Sequence, residues 1–403
     1  MAGAVFVVAG LTTPEQGPVA ALLSTAGWAA AAERVLGQSW VVTPTGVFTP
    51  SMARLRGSDP ALRSRSDASV RRRVPAVAKT AVKDVLSWRM SRRFELDPDG
   101  PWSDTDVAFV WQRHDLFHTT GLELAQRLGA PSVLFVPAAK VWEAEQWGTR
   151  RPGWGRLLEW RAERPSLLGA DVVACGSQPV ADQVLRLGVP DGRVLLTPTG
   201  VDLDLFAEAP DPAPLRRHLG LEDRFVVGWV GSFRRFHALE QAVEAAATVP
   251  DAALLLVGDG PERARIERLA RDLGVTAAFT GTVAHHELPA YLAAMDAAVV
   301  LAKGGQRFHY SPLKLAEYLA AGLPVVAPAT GQLLDRLTDG VDAIVVPPYD
   351  VDALGVALRR LQDDPEERIR LGKAARAAAE ADWSWDHQVR RVLGAVAYGR
   401  SAG

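Results

Sequence analysis

The segment from Phe308 to Tyr318 (FHYSPLKLAEY) groups the residue types that could hold an anion and a sugar diol. Ser311 is a good N-cap and Pro312 suits a first helical position, so a helix is expected to start here. The free amides of Leu313 and Lys314 and the positive end of the helix dipole would then face an anion. Glu317 falls on that helix among Leu313, Ala316, Leu319 and Ala320. A carboxylate there can accept two hydrogen bonds from a vicinal diol such as a ribose. An ordinary capped helix with Glu317 paired to Lys314 accounts for the same residues. The stretch from Val230 to His237 (VGSFRRFH) carries a second group. Gly231 lets backbone approach a phosphate, and Arg234, Arg235 and His237 can neutralise it. A plain strand-to-helix loop with both arginines in water is the simpler alternative for that stretch taken by itself.

Two common nucleotide signatures are missing. Arg263 stands where the third glycine of GxGxxG would follow Gly258 and Gly260, and no GxxxxGK[ST] occurs, which weighs against a dehydrogenase or a P-loop ATPase. Asp-x-Asp triplets at 97–99, 104–106, 202–204 and 350–352 are read as turns, and no metal site is expected.

These segments need strands and helices to position them. Apolar β-rich runs are expected as strands at Val5–Ala9, Trp40–Thr43, Val107–Trp111, Ser132–Val136, Asp171–Ala174 and Val194–Thr197, with helical patterns between them. Prolines 198, 210, 212 and 214 interrupt the alternation, which reads as an inter-domain linker over 201–224. Strands resume at Phe225–Val230, Ala253–Val257, Ala277–Thr280, Ala297–Leu301, Pro324–Ala327 and Ala343–Val346. The expected class is α/β, with two Rossmann-like doubly wound domains facing a central cleft: residues 1–200 and 225–383. A C-terminal helix over 384–403 is expected to pack back on the N-terminal domain.

The 403 residues carry a net charge of −2, with 23% charged and 48% hydrophobic residues, which excludes wholesale disorder. A single cysteine, Cys175, excludes a disulfide scaffold. No Lys or Arg precedes Arg34, so the basic start of a signal peptide is missing and a cytoplasmic location is expected. The near-neutral total hides a skew: Arg54–Arg93 holds twelve Lys/Arg against three acids. A helix from Ala76 to Phe94, with Val77, Ala81, Val85 and Trp88 at helical spacing, can lie on an anionic membrane or hold an anionic acceptor. A solvated helix covering the N-terminal sheet is the plainer alternative, and a nucleic-acid role is not expected.

In combination the motifs resemble the retaining GT-B glycosyltransferases of family 4. The matching stretches are Gly231 to His237, Leu256 to Glu262, Gly281 to His285, Ser311 to Val326 and Trp383 to Trp385, with Ala170–Ser177 and Pro198–Phe206 in the N-terminal half. The resemblance implies a nucleotide-diphosphate sugar as donor substrate, bound mainly by the C-terminal domain, with no other cofactor. Glu317 would hold the ribose, and the amides near Ser311, Leu313 and Lys314 would meet phosphate or sugar. Backbone around Val283 would read the base. Gly231, Arg234, Arg235 and His237 would flank the diphosphate, Arg234 and His237 as the catalytic charges, and Gly17 would approach from the other domain. Family members commonly carry Arg at the position of Ser232 and Lys at that of His237. The first Glu of their E-x7-E pattern falls on His309, and an N-terminal-domain histidine would fall near residues 136–137, where none stands. His114 or His118 could reach an acceptor, although a plain loop histidine is the simpler alternative for each.

The expected activity is retaining, metal-independent transfer of a hexosyl group to a hydroxyl of a small-molecule, natural-product or cell-envelope acceptor. An anionic or lipid-linked acceptor, with peripheral contact at the inner face of the membrane through residues 54–93, is compatible with this reading. A catalytically silent nucleotide-sugar-binding protein and a GT-B sugar epimerase are the alternatives.

Overall fold

The computed structural model describes residues 2–9, 18–58, 76–92, 94–146, 148–149, 151–302 and 312–402; Gly17, His309 and Ser311 lie outside them. The chain divides into two compact units. The first holds the described residues up to Gly200 and again from Trp385; the second holds those from Val201 to Ser384.

In the first unit, β1 (Ala2–Val7), β2 (Gly37–Thr43), β3 (Gly46–Phe48), β4 (Asp106–Arg113), β5 (Ser132–Val136), β6 (Val172–Cys175) and β7 (Val194–Leu196) form one sheet in the order β3-β2-β1-β4-β5-β6-β7. Every pairing is parallel except β2 with β3. β3 is absent from the sequence expectation because three residues past a tight turn show no periodicity. Strands β1 and β5 are nearly or wholly buried along their length, as a sheet covered on both faces requires. Cys175 is buried at the end of β6, and burial pushes its thiol up to about 12, so it stays protonated.

An aromatic core joins the C-terminal helix Trp385–Ala402 to this unit. Trp28 lies 5.9 Å from Trp111 and 5.6 Å from Trp385 between ring centroids, and Trp111 stacks on Phe135 at 5.3 Å. The Trp385 indole lies against Gly27 and Gly200, neither of which has room for a Cβ beside it. Trp385→Ala is therefore expected to cost about 3–5 kcal/mol, read as a lowered thermal midpoint.

The second unit is an all-parallel sheet of β8 (Phe225–Val230), β9 (Ala252–Val257), β10 (Thr276–Gly281), β11 (Ala297–Val299), β12 (Val325–Pro328) and β13 (Ile344–Val346), in the order β10-β9-β8-β11-β12-β13. Asp350 and Asp364 cap the helices Val351–Asp363 and Pro365–Ala378, accepting from Ala353 N at 2.8 Å and Glu367 N at 2.9 Å. The expected linker over 201–224 is instead packed into this unit. Asp211 accepts from Ala213 N at 3.0 Å at the start of a helix, Ala213–Leu219, which Gly220 ends in a left-handed conformation. Arg216 on that helix pairs with Asp296 at 2.9 Å and donates to Ala294 O at 3.0 Å. The prolines and acids that looked like linker punctuation mark the start of a docked helix.

The basic helix spans Ala76–Ser91, three residues shorter than expected at its end. No helix among the described residues is long and apolar enough to cross a membrane.

Candidate functional site

Strand order decides where a ligand can enter the second unit. β9 and β10 extend the sheet to one side of β8 and β11 to β13 to the other, so β8 and β11 flank the switch point. Ligands of open α/β sheets bind beyond the carboxyl ends of the strands at such a point. Both sequence motifs fall there. The connection after β8 carries Gly231 to His237, and the one after β11 leads into the helix Leu313–Ala320.

Backbone hydrogen bonds hold the ends of β8, β9 and β10 together. Gly231 N donates to Val257 O at 2.9 Å, Phe233 N to Asp259 O at 2.9 Å and Gly258 N to Gly281 O at 2.8 Å. Gly258 has φ +130° and its missing Cβ would run into the carbonyl oxygen of Gly231. The glycines that mimic a dinucleotide fingerprint thus brace the loop after β8. Gly258→Ala combines a disfavoured backbone with a backbone clash and should destabilise the protein by more than about 2 kcal/mol, checked by denaturant unfolding.

Across the switch point, Pro312 is extended (φ −75°, ψ 119°) and serves as the N-cap, so the helix begins at Leu313 rather than at Pro312. The first amides of a helix lack intrahelical acceptors, which leaves those of Leu313 and Lys314 for other partners. Two side chains one turn apart fasten this helix to β8. The Tyr318 hydroxyl accepts from Val230 N at 2.7 Å, and Lys314 Nζ lies 3.8 Å from the Trp229 ring centroid. Glu317 is buried, and its Oε1 accepts from His285 Nε2 at 2.8 Å. That bond, rather than the pairing with Lys314 that an ordinary capped helix would offer, is the hydrogen bond described for Glu317. His285 opens the short turn His285–Glu287 that follows β10, two residues after half-buried Val283.

Burial reshapes the charges. Lys314 Nζ makes no ion pair among the described residues, and burial pulls it down to about 7 against the opposing pull of Glu317. The His237 ring packs on Phe236 at 4.2 Å and Trp229 at 5.3 Å between centroids. Burial, then the nearby positive Lys314 and Arg234, hold its pKa far below the usual histidine range, so the expectation that His237 supplies a cation is corrected: it is neutral. Arg234 and Arg235 are exposed on the same loop and make no ion pair among the described residues.

In the first unit, His114 and His118 are both buried, which removes them as candidates to reach an acceptor and leaves the plainer reading. His114 Nε2 donates to Glu163 Oε1 at 2.9 Å with both side chains fully buried. His118 is buried too, and desolvation lowers its pKa. The residues missed by sequence reasoning are Trp229, His285 and Tyr318. Trp229 looked like an ordinary strand residue, and His285 entered only as the end of the matching stretch Gly281 to His285. Tyr318 sits one position past Glu317, where its spacing from Lys314 was the available signal.

Two doubly wound units, one with a carboxylate and cations gathered at its topological switch point, define the GT-B class of transferase folds. The model described as "Glycosyl transferases group 1" matches residues 213–378, and the one described as "Glycosyltransferase Family 4" matches residues 32–205. A GDP-mannose-dependent alpha-(1-6)-phosphatidylinositol monomannoside mannosyltransferase of Mycobacterium tuberculosis is 30% identical over 304 residues, 71% of this chain and 77% of that protein. A protein of the same description in Mycolicibacterium smegmatis is 34% identical over 226 residues, covering 54% of this chain and only 59% of that relative's length. The crystal structure of Anabaena HepE in complex with UDP shares the fold with a TM-score of 0.65 at 16% identity, covering 98% of this chain and 99% of that one. The chain belongs to glycosyltransferase family 4.

Proposed function

We propose that the chain transfers a hexosyl group from a nucleotide-diphosphate sugar to an acceptor hydroxyl with retention of anomeric configuration and without a metal ion. The observation that carries this reading is the buried Glu317 carboxylate, held by His285 at the switch point beside Lys314 and Gly231. A buried carboxylate held in one place suits a ribose diol, and the adjoining cations and helix amides suit a diphosphate.

In a single-step retaining transfer the acceptor attacks the face from which the leaving group departs. The bond between the acceptor oxygen and the anomeric carbon forms as the bond from that carbon to the diphosphate oxygen breaks, through an oxocarbenium-like transition state. The acceptor proton passes to the departing phosphate oxygen, so no protein base is needed. The protein's part is to position both substrates and stabilise the charge that develops on the leaving diphosphate. Arg234 and Arg235, exposed on the loop after β8, supply that charge together with Lys314. Arg234→Ala is expected to lower kcat by about 10²–10³; a wild-type rate would remove it from the mechanism.

The two mannosyltransferase relatives are described as GDP-mannose-dependent enzymes of phosphatidylinositol monomannoside, which makes GDP-mannose the first donor to try and a lipid-linked polyol the first acceptor class. Calorimetry against GDP, UDP, dTDP and ADP tests the donor. Transfer from the matching nucleotide sugar, with the product's anomeric coupling read by NMR, tests the chemistry. Binding of none of the four nucleotides would overturn the reading; an inverted product would overturn retention.

A further inference from the structure

The helix Ala76–Ser91 is turned inside out for a helix on a water-facing domain. Val77, Val82, Val85, Leu86 and Trp88 are 38%, 59%, 50%, 46% and 43% exposed, while Asp84 is 7% exposed and Thr80, Lys83 and Ser87 are half-buried. A soluble amphipathic helix buries its apolar stripe and turns its charges outward. Here the orientation is fixed by an ion pair. Asp84 Oδ2 accepts from Arg151 Nε at 2.9 Å and from Trp154 Nε1 at 3.0 Å, and Oδ1 accepts from Arg151 Nη2 at 3.0 Å. Such a bidentate, buried pair is costly to break, so the polar side stays in and the apolar side stays out.

The outward side carries one sign of charge. Lys79, Arg89 and Arg92 are exposed with the apolar residues, Arg92 lies 5.0 Å over the Trp88 ring, and the one acid of the helix is the buried Asp84. Val82 stands three and four residues before Val85 and Leu86, and Arg89 four and three residues after them, which puts the four on one strip. The surrounding sequence has the same bias, with twelve Lys/Arg against three acids over Arg54–Arg93. A second copy of the chain fits this surface poorly, because a two-fold contact would set the same cations against one another. Apolar side chains flanked by cations complement an anionic lipid surface.

We infer that the helix Ala76–Ser91 docks the protein on an anionic bilayer, with Val82, Val85, Leu86 and Trp88 at the acyl boundary and Lys79, Arg89 and Arg92 among the lipid phosphates. The helix lies on the surface and does not span it. This inference is independent of the donor assignment, and its test uses no nucleotide.

The full chain is floated with vesicles of phosphatidylcholine alone or mixed with phosphatidylglycerol, at low and high salt. Wild type should float with the anionic vesicles, less so at high salt, and remain behind with the neutral ones. Val82→Glu/Leu86→Glu should lower the partition at least about tenfold, since each change replaces an apolar side chain bound for the acyl boundary with a charge. Both positions are exposed, so the thermal midpoint should stay at the wild-type value. Lys79→Glu/Arg89→Glu should abolish the preference for anionic lipid. Equal flotation of wild type with both vesicle types overturns the inference, as does unchanged flotation of the Val82/Leu86 variant. It is likewise overturned if no vesicle binds and light scattering shows a dimer that the Val82/Leu86 variant dissolves.

Discussion

Glu317→Ala is expected to weaken nucleoside-diphosphate binding by about 100-fold. The carboxylate is buried on the helix Leu313–Ala320, with His285 bonded to Oε1 at 2.8 Å and Oε2 without a hydrogen bond to any described residue. Desolvation makes each hydrogen bond from a diol to this charged acceptor worth about 1.5–3 kcal/mol. Losing two of them, partly compensated by water, removes about 3 kcal/mol, or roughly two decades in Kd. Glu317→Gln keeps one carbonyl acceptor and should fall between alanine and wild type. His285→Ala should cost less than Glu317→Ala, because it removes the group that orients the carboxylate rather than the carboxylate itself. Calorimetry reads all three variants, with thermal melts alongside to separate lost binding from lost folding. Unchanged affinity of Glu317→Ala for every nucleoside diphosphate would remove this residue from the donor site.

The helix motif around Glu317 was legible because capping and burial are local properties: Pro312, the apolar positions and the carboxylate all lie within one short stretch of sequence. What Glu317 touches was not legible. Lys314 is three residues away on the same helix and invites an ion pair, but the carboxylate turns to His285, 32 positions distant, because the turn after β10 ends beside the helix. The chain carries no pattern at that separation. The parallel strands of both units were legible for the opposite reason, since covering both faces of a sheet forces unbroken apolar runs such as Ala252–Val257. The antiparallel β3 and the docked helix Ala213–Leu219 escaped because short elements made of turn and cap residues resemble loops. The charge of His237 was misread for a related reason: its neutrality comes from Phe236, Trp229 and Lys314 packing around it, and Trp229 and Lys314 belong to different elements.

That neutrality raises the importance of Lys314. Family 4 members commonly place a lysine where this chain has His237, and here a lysine ammonium from the opposing helix reaches the same loop. Nζ lies over the Trp229 ring and 2.9 Å from where a side chain on Gly231 would begin, so the absent Cβ and the lysine share one space. Burial drags Lys314 down to about 7, while Glu317 pulls it up. Arg234 and His237 face the same region; the first adds like charge, and the second is neutral. In the free protein the ammonium is therefore about half protonated near pH 7, and an arriving diphosphate favours the charged form. Above that pH, donor binding takes up a proton, and affinity should fall by up to about tenfold per pH unit toward the alkaline side. Stability moves the other way. The unfolded chain binds the proton up to the ordinary lysine value of 10.5 and the folded chain does not, so between about 7 and 10.5 the Lys314 contribution makes the folded state more stable as pH rises. Lys314→Met keeps an unbranched chain over Trp229 and removes the charge. We expect kcat/KM to drop by about 10²-fold or more at pH 7, the pH dependence of donor affinity between 7 and 9 to flatten, and proton uptake on binding to vanish when heats are compared across buffers of different ionisation enthalpy. A Lys314→Met protein with wild-type affinity and the wild-type pH slope would place the phosphate-binding charge on Arg234 and Arg235 instead.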